Sequence, residues 1–240
     1  RLSTSTAANH GDIGSNAVDL SYSNSSSSTR GATGNYSTAM GLNSTASGNY
    51  STAMGRSTAS GSYSTAMGFY TTASGQYSTA MGESTIASGQ YSTAMGNSST
   101  ASGGVSTAMG SDSTASGNFS TAMGNSSTAS GTYSTAMGRS TTASGDSSTA
   151  MGYYTTPSGQ YSTAMGYATT ASGDSSTAMG YYTRARDYGS LVIGQYNSSG
   201  FSVTNSATSF NTANTAFVIG NGTAFNAKSD AFKVMFNGDA

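Results

Sequence analysis

Residues 92–110 read STAMGNSSTASGGVSTAMG, and two short words in this stretch decide the fold. The word STAMG recurs after fourteen residues, from Met95 to Met109, and the word TASG lies midway between its two copies. This alternation continues along most of the 240-residue chain, and every step between STAMG-type words is fourteen residues except the thirteen between Gly55 and Gly68. The repeat unit is therefore a pair of seven-residue halves, each ending in glycine.

A seven-residue period first suggests a coiled coil, but the residue types exclude it. Glycine in every heptad would cost about 1 kcal/mol each relative to alanine in a helix, and threonine is also a poor helix former. The heptads also lack the two apolar seam positions of a coiled coil. Strands of four or five residues followed by glycine-containing turns fit better. We therefore predict an all-β parallel solenoid with two strands per 14-residue coil. Stacking of its coils about 4.8 Å apart would give a rod about 50 Å long.

The two halves of each coil differ at one column, which is methionine in the first half and serine in the second. Because side chains alternate across a strand, alanine and the Ser or Thr two residues before it share one face. Threonine and the methionine or serine share the other face. Alanine is small and occurs in both halves, so we predict that it lines the narrow interior and that methionine lies outside.

A long apolar stripe on the outside of a soluble protein indicates a partner surface. Fully burying a methionine side chain contributes about 1.5–3 kcal/mol, whereas an interior of alanine alone makes a thin core. We therefore predict self-association through this column, the alternative being a monomer with methionine inside the roll. The predicted interface consists of Met40, Met54, Met67, Met81, Met95, Met109, Met123, Met137, Met151, Met165, Met179 and Ile193.

The single thirteen-residue coil gives a further expectation about the methionine column. In that coil Arg56 is followed directly by Ser57 and Thr58, so the turn after the methionine strand is one residue shorter than elsewhere. We expect the deletion to be absorbed in this turn, which would leave Met54 and Met67 in one stack.

Composition excludes several classes of partner. Only 7% of the residues are charged, the net charge is −1 and cysteine is absent. The chain has no basic patch for nucleic acid and no polybasic segment for an anionic membrane. No apolar run approaches the ~20 residues of a membrane-spanning helix, so we expect any anchor to lie outside this chain. Without cysteine there are no disulfides and no thiolate metal sites.

Catalytic motifs are also missing from the sequence. His10 is the only histidine, and we interpret it as a surface side chain, the alternative being a metal held by three copies on a trimer axis. The nine acidic residues show no spacing suited to acid/base chemistry. No calcium-binding glycine–aspartate repeat, nucleophile elbow or phosphate loop occurs. We predict a protein that is not an enzyme and has no metal or cofactor.

Aromatic residues cluster at the turns of the repeat in two sets. One set precedes the methionine strand and includes Tyr36, Tyr50, Tyr63, Tyr77 and Tyr91. The other set follows that strand. Stacking between coils and packing across a subunit seam would explain both sets, but tyrosine also offers a large rigid surface with a hydroxyl for a protein or glycan ligand on another cell. The candidate ligand edge consists of Phe69, Tyr70, Tyr153, Tyr154, Tyr167, Tyr181 and Tyr182.

At residues 36–48 the repeat resembles the head repeat of trimeric autotransporter adhesins, the YadA-like left-handed β-roll. That repeat reads roughly Asn-Ser-Val-Ala-Ile-Gly, then two variable residues and Ser-x-Ala-x-Gly. Here Thr38 stands in place of Val and Met40 in place of Ile, and LVIG at 191–194 is closer still to the family form. The resemblance covers residues 31 to about 194. It implies a left-handed roll, a homotrimer packed through the methionine column, and an extracellular head that binds matrix proteins or cells.

The chain divides into three predicted segments: an N-terminal cap or linker (1–30), the β-roll repeats (31–194) and an irregular C-terminal region (195–240). In the last segment, residues 232–236 alternate like a half-buried strand, and Asn237-Gly238 is a hairpin-turn signal. This end resembles the region before the intramolecular chaperone of endosialidase-type tail fibres, which implies a missing downstream domain.

Two alternatives to an adhesin head follow from these patterns. The C-terminal resemblance favours the shaft of a phage tail fibre or of an injection-system appendage. The regular hydroxyls of the Thr-Ala-Ser face suggest a surface that orders water or binds ice, although hydroxyls also keep an uncharged sheet soluble.

Overall fold

The computed structural model describes residues 6–200 and 202–240, so the first five residues of the predicted N-terminal cap lie outside the described residues. The chain divides into two compact units, residues 1–119 and 120–240. Within each unit, parallel β-strands are wound into coils, and a short 3-10 helix at Ala7–Asn9 is the only helix in the described part of the chain. The predicted all-β parallel solenoid is confirmed.

In the first unit each repeat coil has a long strand carrying Thr-Ala-Met, and most have a separate two-residue strand. The strands are β1 (Val18–Tyr22), β2 (Gly31–Ala32), β3 (Thr38–Leu42), β4 (Thr45–Ala46), β5 (Thr52–Ala59), β6 (Thr65–Ala73), β7 (Thr79–Glu83), β8 (Ile86–Ala87), β9 (Thr93–Asn97), β10 (Thr100–Ala101), β11 (Thr107–Ser111) and β12 (Thr114–Ala115).

The second unit continues the same alternation and ends in two longer strands. Its strands are β13 (Thr121–Asn125), β14 (Thr128–Ala129), β15 (Thr135–Arg139), β16 (Thr142–Ala143), β17 (Thr149–Tyr153), β18 (Thr156–Pro157), β19 (Thr163–Tyr167), β20 (Thr170–Ala171), β21 (Thr177–Tyr181), β22 (Arg184–Ala185), β23 (Leu191–Gln195), β24 (Thr215–Asn221) and β25 (Asp230–Met235).

Successive coils pair in parallel with identical residues side by side. In the first unit Met81 of β7 pairs with Met95 of β9, which pairs in turn with Met109 of β11. In the second unit Met151 of β17 pairs with Met165 of β19 by the same register. The sequence period therefore equals one full coil.

The thirteen-residue coil is accommodated where the sequence predicted. Met54 of β5 pairs with Met67 of β6, and the register shift falls between Arg56 and Thr58. In neighbouring coils this turn contains a residue with a positive φ angle, such as Tyr70 at 56°. The short coil lacks this residue, and β5 runs as one strand from Thr52 to Ala59. The expectation that Met54 and Met67 share one stack is confirmed.

The interior consists of the columns that the alternation predicted. Alanines such as Ala94 and Ala101 are completely buried, as are the Ser or Thr residues two positions before them. The methionines are half-buried and Met151 is 37% exposed, so they point outward and partly cover one another along the column. The alternative placement of methionine inside the roll is therefore wrong.

In most coils the second strand is a separate element of only two residues, shorter than predicted, and in the other repeat coils this segment forms the end of β5 or β6. It ends because the amides of Ser60 and Gly61 both donate to the carbonyl of Ala73, at 3.0 and 3.2 Å, which breaks the regular ladder. The backbones of adjacent coils approach closely here. A Cβ atom on Gly61 would lie 2.1 Å from the carbonyl oxygen of Gly75, so glycine is required by lack of space.

After the regular coils, β24 continues the stack, since Ile219 pairs in parallel with Ile193 of β23. Strand β25 then pairs antiparallel with β24. The chain between β23 and β24 is tied to the preceding coil by a buried side chain. The amide of Asn197 accepts from the N–H of Arg184 and donates to its carbonyl, both at 2.9 Å, as a backbone neighbour would.

Candidate interaction surfaces

The methionine column lies on the outer face of the long strands. Every residue of the predicted interface occupies the outward position that follows a buried residue, as Met95 follows Ala94 and Ile193 follows Val192. Half-buried threonines, such as Thr93, flank the column on the same face. The central repeats of this face therefore present thioether, methyl and hydroxyl groups and no charged group.

Two apolar residues that sequence reasoning did not include extend this face. In β1, Leu20 pairs with Met40 and is 42% exposed. In the second unit, Ile219 pairs with Ile193 and is half-buried. Both positions could have been predicted from the sequence. Leu20 belongs to an alternating apolar run, and Ile219 is followed by a glycine, as each methionine of the column is.

Tyrosines of the first aromatic set form a ladder along one edge of the first unit. The rings of Tyr36, Tyr50, Tyr63, Tyr77 and Tyr91 are stacked with centroids 4.8–4.9 Å apart. These residues have φ angles of 55–57° at the turn before the methionine strand. Coil-to-coil stacking, one of the two explanations offered by the sequence, is confirmed for this set.

Tyrosines of the candidate ligand edge form a cluster at the opposite turn of the coils of the second unit. Tyr153 and Tyr154 have ring centroids 4.3 Å apart, Tyr153 and Tyr167 5.1 Å, and Tyr167 and Tyr181 4.9 Å. Tyr182 lies 4.9 Å from Tyr181. Tyr154 and Tyr181 are 53% and 42% exposed, so the cluster is accessible from outside the coil.

Tyr196 completes this cluster, and sequence reasoning missed it. Its ring stacks on Tyr182 with a centroid distance of 5.0 Å and an angle of 8°. The signal was present, because Tyr196 stands two residues after Gly194 as Tyr182 stands two residues after Gly180. We call Tyr153, Tyr154, Tyr167, Tyr181, Tyr182 and Tyr196 the tyrosine cluster.

Three hydroxyl groups of the tyrosine cluster have a raised pKa. The pKa of Tyr153 is raised by a hydrogen bond with Tyr154, and that of Tyr167 by the neighbouring Tyr182 hydroxyl. Partial burial among the other rings raises the pKa of Tyr196. These phenols therefore remain hydrogen-bond donors at neutral pH.

Phe69 and Tyr70, the two members of the candidate edge in the first unit, lie together with an arginine. Their ring centroids are 4.3 Å apart. The Arg56 guanidinium carbon lies 4.3 Å from the centroid of Tyr70 and 5.7 Å from that of Phe69, which is cation–π geometry. In the second unit Arg139 lies 5.3 Å from the centroid of Tyr153.

His10 is not a surface residue, so this prediction was wrong. It is 6% exposed, and its Nδ1 atom lies 3.4 Å from Asp19 Oδ2 and 3.3 Å from Ser21 Oγ. Asp19 occupies the interior column, in register with Ala39, and therefore needs polar neighbours. Ser21 Oγ donates to Asp19 Oδ1 at 2.6 Å.

This buried group is not a catalytic relay. A serine–histidine–aspartate relay uses both ring nitrogens of the histidine, whereas here Ser21 and Asp19 both approach Nδ1 of His10. Within residues 6–200 and 202–240, no group of three or more His, Cys, Asp or Glu residues is arranged to hold a metal ion. Nor does that part of the chain contain a helix with the length and apolar character needed to cross a membrane.

Comparison with known protein families identifies a repeat family. The family described as YadA head domain repeat matches residues 32–58, 59–85, 87–104, 101–127, 129–155 and 158–183, which is more than half of the chain. No curated protein matches the chain. The fourteen-residue coil, the buried alanine columns and this match lead to one conclusion: the chain belongs to the YadA head domain repeat family.

Proposed function

We propose that this chain is the head of a trimeric, extracellular surface adhesin with no catalytic activity. Membership of the YadA head repeat family supports an adhesin-type structural domain. The observation that carries the proposal is the half-buried methionine column, which every repeat coil presents at the same outward position. In this proposal the coils have a structural role: each one repeats the same positions for the self-association face and for the binding edge.

Self-association through the methionine column follows from its spacing and its lack of charge. Methionines of adjacent coils are paired residue for residue, as Met81 is with Met95, so a second copy meets the same pattern at each coil. Packing two such faces removes apolar surface from water without desolvating a charged side chain. Identical copies favour a closed symmetric assembly, and the resemblance to trimeric adhesins implies three copies.

Ligand binding is assigned to the tyrosine cluster. It lies at the turns, away from the interior alanines and from the methionine face. Its exposed rings Tyr154 and Tyr181 combine a flat apolar surface with a phenol hydroxyl that can donate a hydrogen bond. Aromatic anchors of this kind dominate many binding interfaces. The proposed partner is a protein or glycan on another cell or in the surrounding matrix.

Replacing Tyr153, Tyr154, Tyr181 and Tyr182 with serine is expected to weaken adhesion to cells or matrix at least ten-fold. Each lost aromatic anchor removes on the order of 1–2 kcal/mol of binding free energy. Adhesion of the purified chain to cell layers and matrix coatings measures this effect, with circular dichroism as a check on β-content. The matched control replaces Tyr36, Tyr50, Tyr63 and Tyr77 of the stacked ladder; undiminished adhesion of the cluster variant, or an equal loss in the control, contradicts the assignment.

The two alternatives drawn from the sequence give different results in the same assays. A tail-fibre or appendage shaft acting as a passive spacer predicts no adhesion by the wild-type chain. An ice-ordering surface predicts thermal hysteresis that survives the tyrosine changes and is lost when Thr128 and Thr142, which are paired on the short-strand face, become lysine.

A further inference from the structure

A groove of about 310 Å³ lies on the first unit, beside the thirteen-residue coil. It is on the side of the short strands, where Thr45 and Thr58 pair across β4 and β5. Its lining includes Arg30, Asn43, Thr45, Arg56, Thr58 and Tyr70.

The missing residue of the short coil accounts for this groove. In the coils on either side, Asn43 and Tyr70 occupy the turn with positive φ angles of 53° and 56°. The coil between them has no residue there. Instead Ser57 follows Arg56 directly, and its buried hydroxyl donates to the carbonyls of Met54 and Ala66 at 3.1 and 3.0 Å. The edge of β5 is therefore recessed between two flanking turns.

Positive charge lines this recess without a neutralising carboxylate. Arg56 is half-buried against the ring of Tyr70, and Arg30 is held through Nη1, which donates to Ser23 Oγ and Ser25 Oγ at 2.8 and 2.7 Å. Among the residues that the structure describes, no Asp or Glu side chain lies within 4.0 Å of either guanidinium. Two fixed cations in a chain of net charge −1 create a local site for an anion.

We propose that this groove binds the anionic group of an acidic oligosaccharide, a carboxylate or a sulfate ester carried on a sugar ring. Arginine donates two parallel hydrogen bonds to either group. The hydroxyls of Thr45 and Thr58 and the amide of Asn43 match the hydroxyls of a sugar. Tyr70 is 50% exposed and offers an aromatic surface beside them.

A saccharide fits better than an acidic peptide, because the groove surrounds its two arginine side chains with several small hydroxyl groups. An extended peptide would need unpaired backbone groups along a strand edge. Here both sides of β5 are already paired, with β4 and with β6. The inference rests on the proposed adhesive function and names the class of ligand for one of its surfaces.

Binding of 3′-sialyllactose, lactose 3′-sulfate and lactose to the full 240-residue chain tests this proposal. We expect one or both acidic sugars to bind at least about ten-fold more tightly than lactose, with an affinity that falls as salt is raised. The two acidic arms distinguish carboxylate from sulfate recognition. Arg56→Gln should reduce the acidic-sugar affinity about ten-fold or more, because hydrogen bonds to charged groups are the strong ones.

Arg139→Gln is the matched control, since Arg139 also follows a Met-Gly pair and also lies over a tyrosine ring, but in a full-length coil. It should leave acidic-sugar affinity unchanged. A second variant inserts one serine between Arg56 and Ser57, which restores the fourteen-residue turn while keeping the charge, and it should also lose binding. Equal affinity for lactose and both acidic sugars, or equal losses in the Arg56 and Arg139 variants, overturns the proposal.

The two proposals fail separately in these experiments. Loss of acidic-sugar binding with retained adhesion through the tyrosine cluster would remove only the groove. Absence of adhesion in a chain that still binds acidic sugars would remove the adhesin assignment and leave a carbohydrate site on a structural fibre.

Discussion

Replacing Met95 and Met109 with aspartate is expected to dissociate the assembled chain. These residues pair directly across β9 and β11, so the variant puts two adjacent carboxylates into a face that assembly would remove from water. Burying charges without partners costs several kcal/mol. A loss of about 4 kcal/mol raises the dissociation constant roughly a thousand-fold.

Sedimentation velocity at micromolar concentration measures this effect, and circular dichroism reports whether the released chain still holds its coils. Ser88 and Ser102 provide the control pair, because they are exposed on the short-strand side and are spaced by one coil in the same way. Aspartates at these two positions should leave the assembly intact. An unchanged sedimentation coefficient for the methionine variant would contradict association through the methionine column.

Replacing Gly103 with alanine is expected to destabilise the first unit severely. A Cβ atom at Gly103 would lie 2.0 Å from the carbonyl oxygen of Gly117 in the next coil, and the obstacle is backbone that cannot rotate away. Relieving this collision would force apart two paired coils. The free energy of unfolding should fall by about 3 kcal/mol or more, beyond the usual range of overpacking.

Gly104 is the matched control, since it is the next residue along the chain. A Cβ atom there would meet only the side chain of Asn118, at 3.3 Å from Oδ1. Gly104→Ala should change the free energy of unfolding by no more than about 1 kcal/mol. Thermal or denaturant unfolding of the two variants measures the difference, and similar stabilities would contradict the view that coil spacing fixes this glycine.

Periodicity made the coil predictable in detail. Each fourteen-residue unit repeats one chemical pattern. The alternation of side chains along its strands is therefore enough to predict that Ala101 is buried and that Met95 points outward. The same counting located the one-residue deletion between Arg56 and Thr58, because Gly61 follows Gly55 by six residues where other half-coils have seven. Repetition thus supplies the long-range register that a single strand cannot specify.

Features that break the repeat were less predictable because they depend on local geometry. The stacked ladder tyrosines have positive φ angles, a conformation that residues other than glycine rarely adopt and that the repeat pattern does not indicate. The burial of His10 follows from Asp19, whose place in the interior column became evident only from its pairing with Ala39. The groove follows from the absence of a residue, and its lining comes from four successive coils.

The mass of the native chain in solution tests the central claim most directly, that the methionine column is a surface between copies of this protein. Sedimentation equilibrium over a range of micromolar concentrations should give three times the chain mass of 23.9 kDa. A folded species of 23.9 kDa across that range would contradict the claim, because the methionine column would then remain exposed to water in a stable monomer.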